Sequence, residues 1–112
     1  MATIAKANAE LWVFPLSGPT GGSGITAVDV IVIDIEDSDG RTGTGFSYVL
    51  GGGGATVAAA ARDMLDRFVA DQVVVPPQAL LRRLAGSLNL LGRGVGYLAI
   101  AVIDVAMWDL YA

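Results

Sequence analysis

The sequence predicts an α+β fold in which a three-stranded antiparallel meander is followed by a bundle of three to four helices. Strand-like patterns occupy about residues 3–50 and helical patterns about residues 55–112, and this segregation is typical of α+β domains. At 112 residues the chain has the length of one domain with a modest core. Apolar residues make up 54% of it, which excludes intrinsic disorder.

The first two strands are predicted from apolar, β-prone runs. Residues 4–14 contain the cluster Leu-Trp-Val-Phe and are closed by Pro15. A Gly-rich loop follows, and residues 25–37 then alternate Val on one face with Ile on the other. Because both faces are apolar at the middle of this second strand, we expect it to be central in the sheet and covered on both sides.

The third strand follows a turn signal. Asp39-Gly40 predicts a tight hairpin of the primed-turn type, which leads into a strand over residues 42–50. Gly43 and Gly45 occupy alternate positions of that strand. Glycines weaken a strand interior, so this pair indicates that a neighbouring backbone approaches closely there.

Three helices are predicted after the strands. The first, residues 55–69, places its apolar side chains on one stripe. A short second helix begins at Pro76-Pro77, and three of its leucines are expected to face inward: Leu80, Leu81 and Leu84. The final helix begins near Val95 and carries apolar residues all round, which predicts burial on every side. A sheet and three helices of this size can cover only one face of it, so we expect something else to cover the rest.

Charge and composition exclude several classes of protein. The net charge is −4 without a cluster of Lys or Arg, so we expect neither a nucleic-acid surface nor an anionic-membrane patch. Without Cys or His the chain builds no disulfide framework, thiolate zinc site or His-based triad. Residues 1–10 lack a signal-peptide pattern, and Asp104 and Asp109 are costly in a membrane span. We therefore expect a cytoplasmic protein, and its mean hydropathy of +0.60 predicts apolar surface that something else covers.

Two local patterns could hold an ion. Residues 51–54 are four glycines between a strand and a helix, where exposed amides can bind an anion. They lack the Lys-Ser/Thr of a phosphate-binding loop, so a flexible turn or lid is the favoured interpretation. Four acidic residues near the hairpin invite a metal interpretation: Asp34, Glu36, Asp37 and Asp39. They lack the spacing of a calcium loop, so a solvated turn is favoured and no metal site is predicted.

Asp104 and Asp109 are the remaining candidates for catalytic carboxylates. Five residues apart on one helix, they point to different faces, which is poor geometry for a cooperating pair. A carboxylate among apolar residues is more often satisfied by a backbone amide or an arginine, and Arg93 is a candidate partner. The structural interpretation is therefore favoured for both.

Two motifs carry a resemblance to a known family. Residues 39–48 read D-G-R-x-G-x-G-F-x-Y across the hairpin and third strand. Residues 101–112 read A-V-I-D-V-A-M-W-D-L-Y-A, close to the pattern A-I-D-x-A-x-W-D-L-x-A with one residue inserted. With these motifs the chain resembles the N-terminal capping domain of the enolase superfamily, in its mandelate racemase and muconate-lactonizing branch.

The resemblance implies a division of labour between two domains. A following (β/α)₈ barrel, absent from these 112 residues, would carry the Mg²⁺ ligands and the bases that abstract a proton α to a carboxylate. This chain would contain no catalytic residue, metal ligand or cofactor of its own. Its partners would be that barrel, a small carboxylic-acid substrate (the resemblance favours acid sugars) and further copies in a homo-oligomer.

The same resemblance assigns two loops, residues 16–25 and 48–55, to the barrel mouth, where they would exclude water and shape specificity. The residues implied for this role are Leu16, Ser17, Thr20, Ser23, Ile25, Tyr48, Leu50, Gly51 and Gly53. An alternative stays open at this point. The chain could be a stand-alone, self-associating module without enzymatic activity that buries its apolar last helix against a second copy.

Overall fold

The computed structural model describes residues 2–16, 26–50, 52–86 and 93–112, except for the side chain of Arg93. Three strands are followed by three helices in these residues: β1 (Ile4–Pro15), β2 (Ala27–Asp37), β3 (Thr42–Leu50), α1 (Gly54–Met64), α2 (Pro77–Ala85) and α3 (Arg93–Tyr111). A five-residue π-helical segment, Leu65–Val69, extends α1. The strands form one antiparallel sheet in the order β1-β2-β3. The predicted α+β meander is confirmed.

The central strand β2 is covered on only one face. Ile31, Ile33 and Ile35 are at most 1% exposed, because α1 and α3 pack against the face they share. On the opposite face Val28 and Val30 are only half-buried, since no helix of the described residues lies over it. The central position is therefore predicted correctly, whereas coverage on both sides is wrong. The apolar residues of the second face belong to a surface that these helices leave open.

The close approach predicted at the two glycines of β3 is confirmed, and the neighbour is α3. A Cβ atom on Gly45 would lie 2.6 Å from the carbonyl oxygen of Val102, and one on Gly43 would fall against the carbonyl of Ala106. The helix backbone thus lies directly on the strand backbone. Only glycine leaves room for this contact, which buries Ala106 fully.

The hairpin between β2 and β3 is built around a buried carboxylate. Asp37, 2% exposed, accepts hydrogen bonds from the backbone N–H groups of Asp39 (3.0 Å) and Arg41 (2.9 Å) and from the Arg41 guanidinium (2.8 Å). Gly40 has φ 85°, whereas Asp39 has no positive φ. Both types of primed two-residue turn need positive φ at the first central residue, here Asp39, so that predicted turn type is wrong although the hairpin itself is present. The prediction of a solvated turn is also wrong for Asp37, because its side chain is buried.

Helix α3 is buried on one side only. Its buried residues include Val102, Ile103, Ala106, Met107 and Leu110, at most 2% exposed. Its opposite side carries exposed apolar residues, which we call the α3 stripe: Tyr97, Leu98, Val105 and Trp108, 44–53% exposed. Within the described residues the sheet, α1 and α2 all pack against the same side of the helix, so these elements bury one side of α3 and leave the α3 stripe for something else to cover.

Two details of the helices qualify the sequence interpretation. In α2, Leu80 and Leu84 are buried as expected, but Leu81 is 41% exposed rather than inward, because it lies on the side away from the core.

Gly94–Tyr111 of α3 is long and apolar enough to cross a membrane by length and composition. Its buried side packs against β3, α1 and α2, and 44% of that window is buried.

Candidate functional site

The two predicted capping loops leave the sheet at the same end. In the antiparallel register Pro15 pairs with Ala27, and Val28 pairs with Leu50, so the end of β1, the start of β2 and the end of β3 lie side by side. Residues 16–26 connect the first two of these positions, and residues 51–53 begin at the third. The hairpin of residues 38–41 lies at the opposite end of the sheet. The meander topology thus brings the starting points of both loops to the same end of the sheet.

Four of the nine predicted capping residues lie within the described part of the chain. Leu16 is half-buried and donates its backbone N–H to the carbonyl of Thr26 at 2.8 Å, which holds the base of the first loop. Tyr48 and Leu50 are 63% and 54% exposed and share the open face of the sheet. Gly53 is exposed. The other five lie outside the described residues: Ser17, Thr20, Ser23, Ile25 and Gly51.

A residue that the sequence interpretation missed, Asp29, fastens the second loop. Its Oδ2 accepts a hydrogen bond from the backbone N–H of Gly54 at 3.0 Å, and the side chain is 9% exposed. Gly54 is the first residue of α1, where a carboxylate is favoured by the unsatisfied amides and by the helix dipole. The N-cap residue Gly53 has no side chain to fill this role, so a carboxylate from the central strand fills it.

A signal for Asp29 exists in the sequence. It occupies the same alternating face of β2 as Ile31 and Ile33, a face that is otherwise apolar until Asp37. An acid on the buried face of a strand needs a hydrogen-bond donor nearby, and a helix N-terminus is one such donor.

The described glycines of the second loop, residues 52–54, are required by the backbone conformation and by the close approach of Asp29. Gly52 and Gly53 have φ of 120° and 89°, a region that favours glycine. A Cβ atom on Gly54 would lie 2.7 Å from Oδ2 of Asp29, so the third described glycine is needed for the close approach of the carboxylate. The N–H of Gly54 is already bound, and the charge of Asp29 beside it repels anions. These contacts argue against an anion cradle.

Three of the four acidic side chains near the hairpin bind neighbouring residues: those of Asp34, Glu36 and Asp37. Asp34 accepts a hydrogen bond from Thr44 Oγ1 at 2.8 Å, and Oε2 of Glu36 lies 3.6 Å from Nζ of Lys6. Burial by itself would raise the pKa of Asp37, but the hydrogen bonds from Arg41 and the amide of Asp39 outweigh it and hold that pKa below the ordinary 3.8. Among the described residues, no three carboxylate side chains converge to hold a metal ion. The Mg²⁺ that the resemblance implies does not fit these residues.

The two carboxylates of α3 behave differently from each other. Asp109 Oδ2 accepts a hydrogen bond from the backbone N–H of Thr44 at 2.8 Å, so it ties α3 to the edge strand β3. The predicted backbone partner is confirmed for Asp109. Asp104 is half-buried, and burial raises its pKa above the ordinary 3.8. Its suggested partner, the side chain of Arg93, lies outside the described part of the chain. The pair forms no common site.

The open face of the sheet divides into an acidic half and an aromatic half. The acidic half, at the hairpin end, includes Asp34 and Glu36. The half at the loop end carries a group that we call the aromatic patch: Trp12, Phe14, Phe46, Tyr48 and Leu50, 49–68% exposed. The rings of Trp12 and Phe14 lie 6.3 Å apart, and the indole N–H of Trp12 donates to Glu10 at 2.9 Å. The loop end of the molecule therefore presents ordered apolar side chains beside both loops.

Comparison with known proteins agrees with this geometry. A sequence model of the mandelate racemase / muconate lactonizing enzyme N-terminal domain matches residues 13–112. The 3,6-anhydro-alpha-L-galactonate cycloisomerase of Streptomyces coelicolor is 34% identical over 121 aligned positions, which cover 96% of this chain and 31% of that protein. The chain thus spans about a third of the length of this curated relative.

Solved structures give the same result. A racemase from Streptomyces coelicolor with bound magnesium superimposes with a TM-score of 0.87 at 28% identity, over 96% of this chain and 31% of the other. The L-talarate/galactarate dehydratase from Salmonella typhimurium, liganded with Mg and L-lyxarohydroxamate, superimposes with a TM-score of 0.85 at 29% identity, over 99% of this chain and 30% of the other. Sequence match, sheet topology and helix order all agree, and the chain belongs to the mandelate racemase/muconate lactonizing enzyme family of the enolase superfamily, as an N-terminal domain.

Proposed function

We propose that this chain caps the (β/α)₈ barrel of a Mg²⁺-dependent enzyme and shapes its choice of substrate, without catalytic activity of its own. The observation that carries the proposal is that the strand ends from which two loops begin lie side by side at one end of the sheet. Residues 16–25 and 48–55 start from adjacent strand ends, and the bond from Gly54 to Asp29 fixes the second loop to the central strand. Loops anchored on a rigid sheet are suited to open and close together over a ligand.

The substrate class that we propose is a sugar acid. The relatives act on, or bind, molecules of this class: 3,6-anhydro-alpha-L-galactonate in one case, L-talarate and galactarate in the other. The reaction would be a racemisation, dehydration or cycloisomerisation that begins with loss of a proton α to the carboxylate. The barrel would supply the base and the Mg²⁺, which stabilises the negative charge that develops on the substrate.

The part of this chain in that chemistry is to cover the site. Loops that exclude water lower the local dielectric, so each electrostatic interaction inside the site becomes stronger. Tyr48 and Leu50 end the strand from which the second loop begins, and their 63% and 54% exposure leaves them free to contact another surface. No catalytic role is assigned to any residue of this chain.

The proposal also assigns a partner to the α3 stripe. Its apolar side chains, Leu98, Val105 and Trp108 among them, are 44–50% exposed, and the barrel would bury them. Covering an apolar stripe of this kind accounts for the high mean hydropathy of the chain. The whole enzyme would be a cytoplasmic homo-oligomer.

A second candidate function is favoured by one observation, the exposure of the α3 stripe. A stand-alone module without activity could pair this stripe with the same stripe of another copy. The two candidate functions predict different results when the domain is joined to a barrel: a capping domain supports turnover, whereas a stand-alone module does not.

A chimaeric enzyme tests the proposed function. This chain replaces the N-terminal domain of the Salmonella L-talarate/galactarate dehydratase, and turnover of galactarate is measured with Mg²⁺ and compared with that of the isolated barrel. We expect the chimaera to turn over galactarate faster than the barrel alone, while the 112-residue chain alone gives no turnover. A chimaera that is folded by circular dichroism but no faster than the barrel would contradict the capping role.

A matched pair of variants in the chimaera tests the loop anchor. Asp29→Ala and Asp37→Ala each remove a buried carboxylate that accepts backbone N–H bonds, at opposite ends of β2. Asp29→Ala is expected to raise the KM for galactarate because it frees the second loop. Asp37→Ala, at the hairpin end, is expected to lower stability and leave KM unchanged. Equal KM values for the two variants would refute the assignment of the loop end to the substrate.

A further inference from the structure

We infer that the barrel surface that covers the α3 stripe presents a cationic side chain, an arginine or a lysine, to Asp104. Asp104 lies at the border of the stripe, one helical turn before Trp108 and two turns after Tyr97, so the three residues are in line on the surface of α3. Trp108 and Tyr97 are about half exposed, whereas Asp104 is already half-buried. A molecule that covers the stripe therefore removes water from this carboxylate as well.

The described part of the chain offers Asp104 no counter-charge. No described residue donates a hydrogen bond to this carboxylate or forms an ion pair with it. The basic side chains that the structure describes each bind another group: those of Lys6, Arg41, Arg62, Arg67, Arg82 and Arg83. Residues 94–112 contain no Lys or Arg, and Arg93 precedes Asp104 by eleven residues, about 16 Å along the helix axis. A counter-charge for Asp104 has to come from outside these residues.

The chemistry of a covered carboxylate determines what lies opposite. A wholly apolar surface over the stripe would take the water from Asp104 and give it no hydrogen-bond donor in return, which strongly disfavours docking. An arginine or lysine compensates for the lost water with a charge-assisted hydrogen bond. The same pair fixes how the two surfaces align, because an apolar stripe on its own tolerates small shifts whereas a buried charge pair does not.

A second copy of the chain fits Asp104 less well than a barrel does. If two α3 helices paired through their stripes, residues 94–112 of the second copy would bring no basic residue to Asp104. One antiparallel register sets the second copy's Arg93 opposite Asp104, but it sets Trp108 opposite residue 89, beyond the start of α3. That register leaves the largest side chain of the stripe without a facing helix. The charge therefore favours an occupant of different sequence, and the inference rests on the proposed function, in which a barrel covers the stripe.

Thermal unfolding of the 112-residue chain and of the chimaera with the dehydratase barrel tests the inference, because the same substitution should act in opposite directions in the two proteins. In the chain alone, Asp104→Asn and Asp104→Leu remove an unpaired, partly desolvated charge, so both should raise the unfolding midpoint at pH 7. In the chimaera they leave the cation of the barrel buried without a partner, so both should lower the midpoint, by about 2 °C or more. Asp66→Asn is the matched control: it removes the same charge from an exposed position in the segment that extends α1, and it should shift both midpoints alike.

Two results would overturn the inference. If the Asp104 variants raise the midpoint in both proteins, the barrel offers no counter-charge; if they lower it in both, the partner of Asp104 lies within the 112-residue chain. A crystal structure of the chimaera checks the contact directly: a nitrogen of a barrel Arg or Lys should lie within about 4 Å of a carboxylate oxygen of Asp104, and an apolar barrel surface there would contradict the inference.

Failure of the proposed function is read separately, from galactarate turnover in the chimaera. A chimaera that turns over galactarate while the Asp104 variants raise its midpoint keeps the capping role and loses only this inference.

Discussion

Replacing Gly45 by alanine would drive a methyl group into the backbone of α3. A Cβ atom at this position would lie 2.6 Å from the carbonyl oxygen of Val102 and 2.7 Å from the amide nitrogen of Ala106. Both neighbours are main-chain atoms, so no side chain can rotate away to make room. The helix itself has to move off the strand.

The geometry sets the size of the effect. Optimal contacts to carbon lie at about 3.5–4.0 Å, so α3 has to retreat by roughly 1 Å, and a gap of that size forfeits a quarter to a half of the facing dispersion attraction. Overpacking of this kind costs about 1–3 kcal/mol. Replacing a strand glycine regains roughly 0.5–1 kcal/mol of backbone entropy. We therefore expect Gly45→Ala to lower the free energy of unfolding by about 1 kcal/mol, the overpacking cost less the regained entropy.

Urea unfolding at one fixed protein concentration, followed by tryptophan fluorescence, measures this change. Gly94→Ala is the matched control, because Gly94 lies in the first turn of α3 with no heavy atom within 4 Å of the added Cβ. It is expected to leave stability unchanged or raise it by up to about 1 kcal/mol. A loss below about 0.5 kcal/mol for Gly45→Ala, or equal losses for both variants, would refute the direct backbone contact between α3 and β3.

Three further predictions follow from the buried and half-buried carboxylates. Asp29→Ala leaves the N–H of Gly54 without its acceptor and should lower the free energy of unfolding by about 0.5–2 kcal/mol, with Asp29→Asn losing less; urea unfolding measures both. The pKa of Asp37 is lowered by its bonds to Arg41, so the contribution of this carboxylate to stability should be complete above pH 3.8 and disappear as the pH falls through the lowered pKa. Thermal unfolding of the wild type and of Asp37→Asn over a series of pH values checks this. A difference in stability between the two proteins that does not depend on pH would contradict it. The pKa of Asp104 is raised by burial, so Asp104→Asn should stabilise the protein at pH 7, and this gain in stability should vanish below pH 3.8. A variant that is less stable than the wild type at pH 7 would mean that the carboxylate has a stabilising partner.

Local patterns allow the strands and helices to be predicted from sequence. Alternation predicted β2, and the two glycines of β3 predicted the close approach of a neighbouring backbone, because a missing Cβ has few purposes in a strand interior other than close approach. What sequence could not say was which backbone approaches, since α3 lies about 60 residues further along the chain. Only the folded topology brings Gly43 and Gly45 under Ala106.

Coverage was harder to predict than secondary structure, for a physical reason. Apolar residues on both faces of β2 and all around α3 indicate that these faces avoid water, but not which molecule covers them. Here the chain itself covers one face of the sheet and one side of α3, and it leaves Trp12 and Trp108 about half exposed. The position of Asp29 on the apolar face of β2 is a signal that it needs a hydrogen-bond donor, but the sequence does not tell which backbone N–H supplies it.

Hydrogen exchange in the chimaeric enzyme tests the capping account at the level of the loops. The chimaera of this chain with the dehydratase barrel is compared with and without Mg²⁺ and L-lyxarohydroxamate. We expect the ligand to slow exchange in both loops, residues 16–25 and 48–55, and to leave the exchange of the hairpin at residues 38–41 unchanged. Exchange that is equally fast in both loops with and without bound ligand would show that this end of the sheet does not close over a substrate.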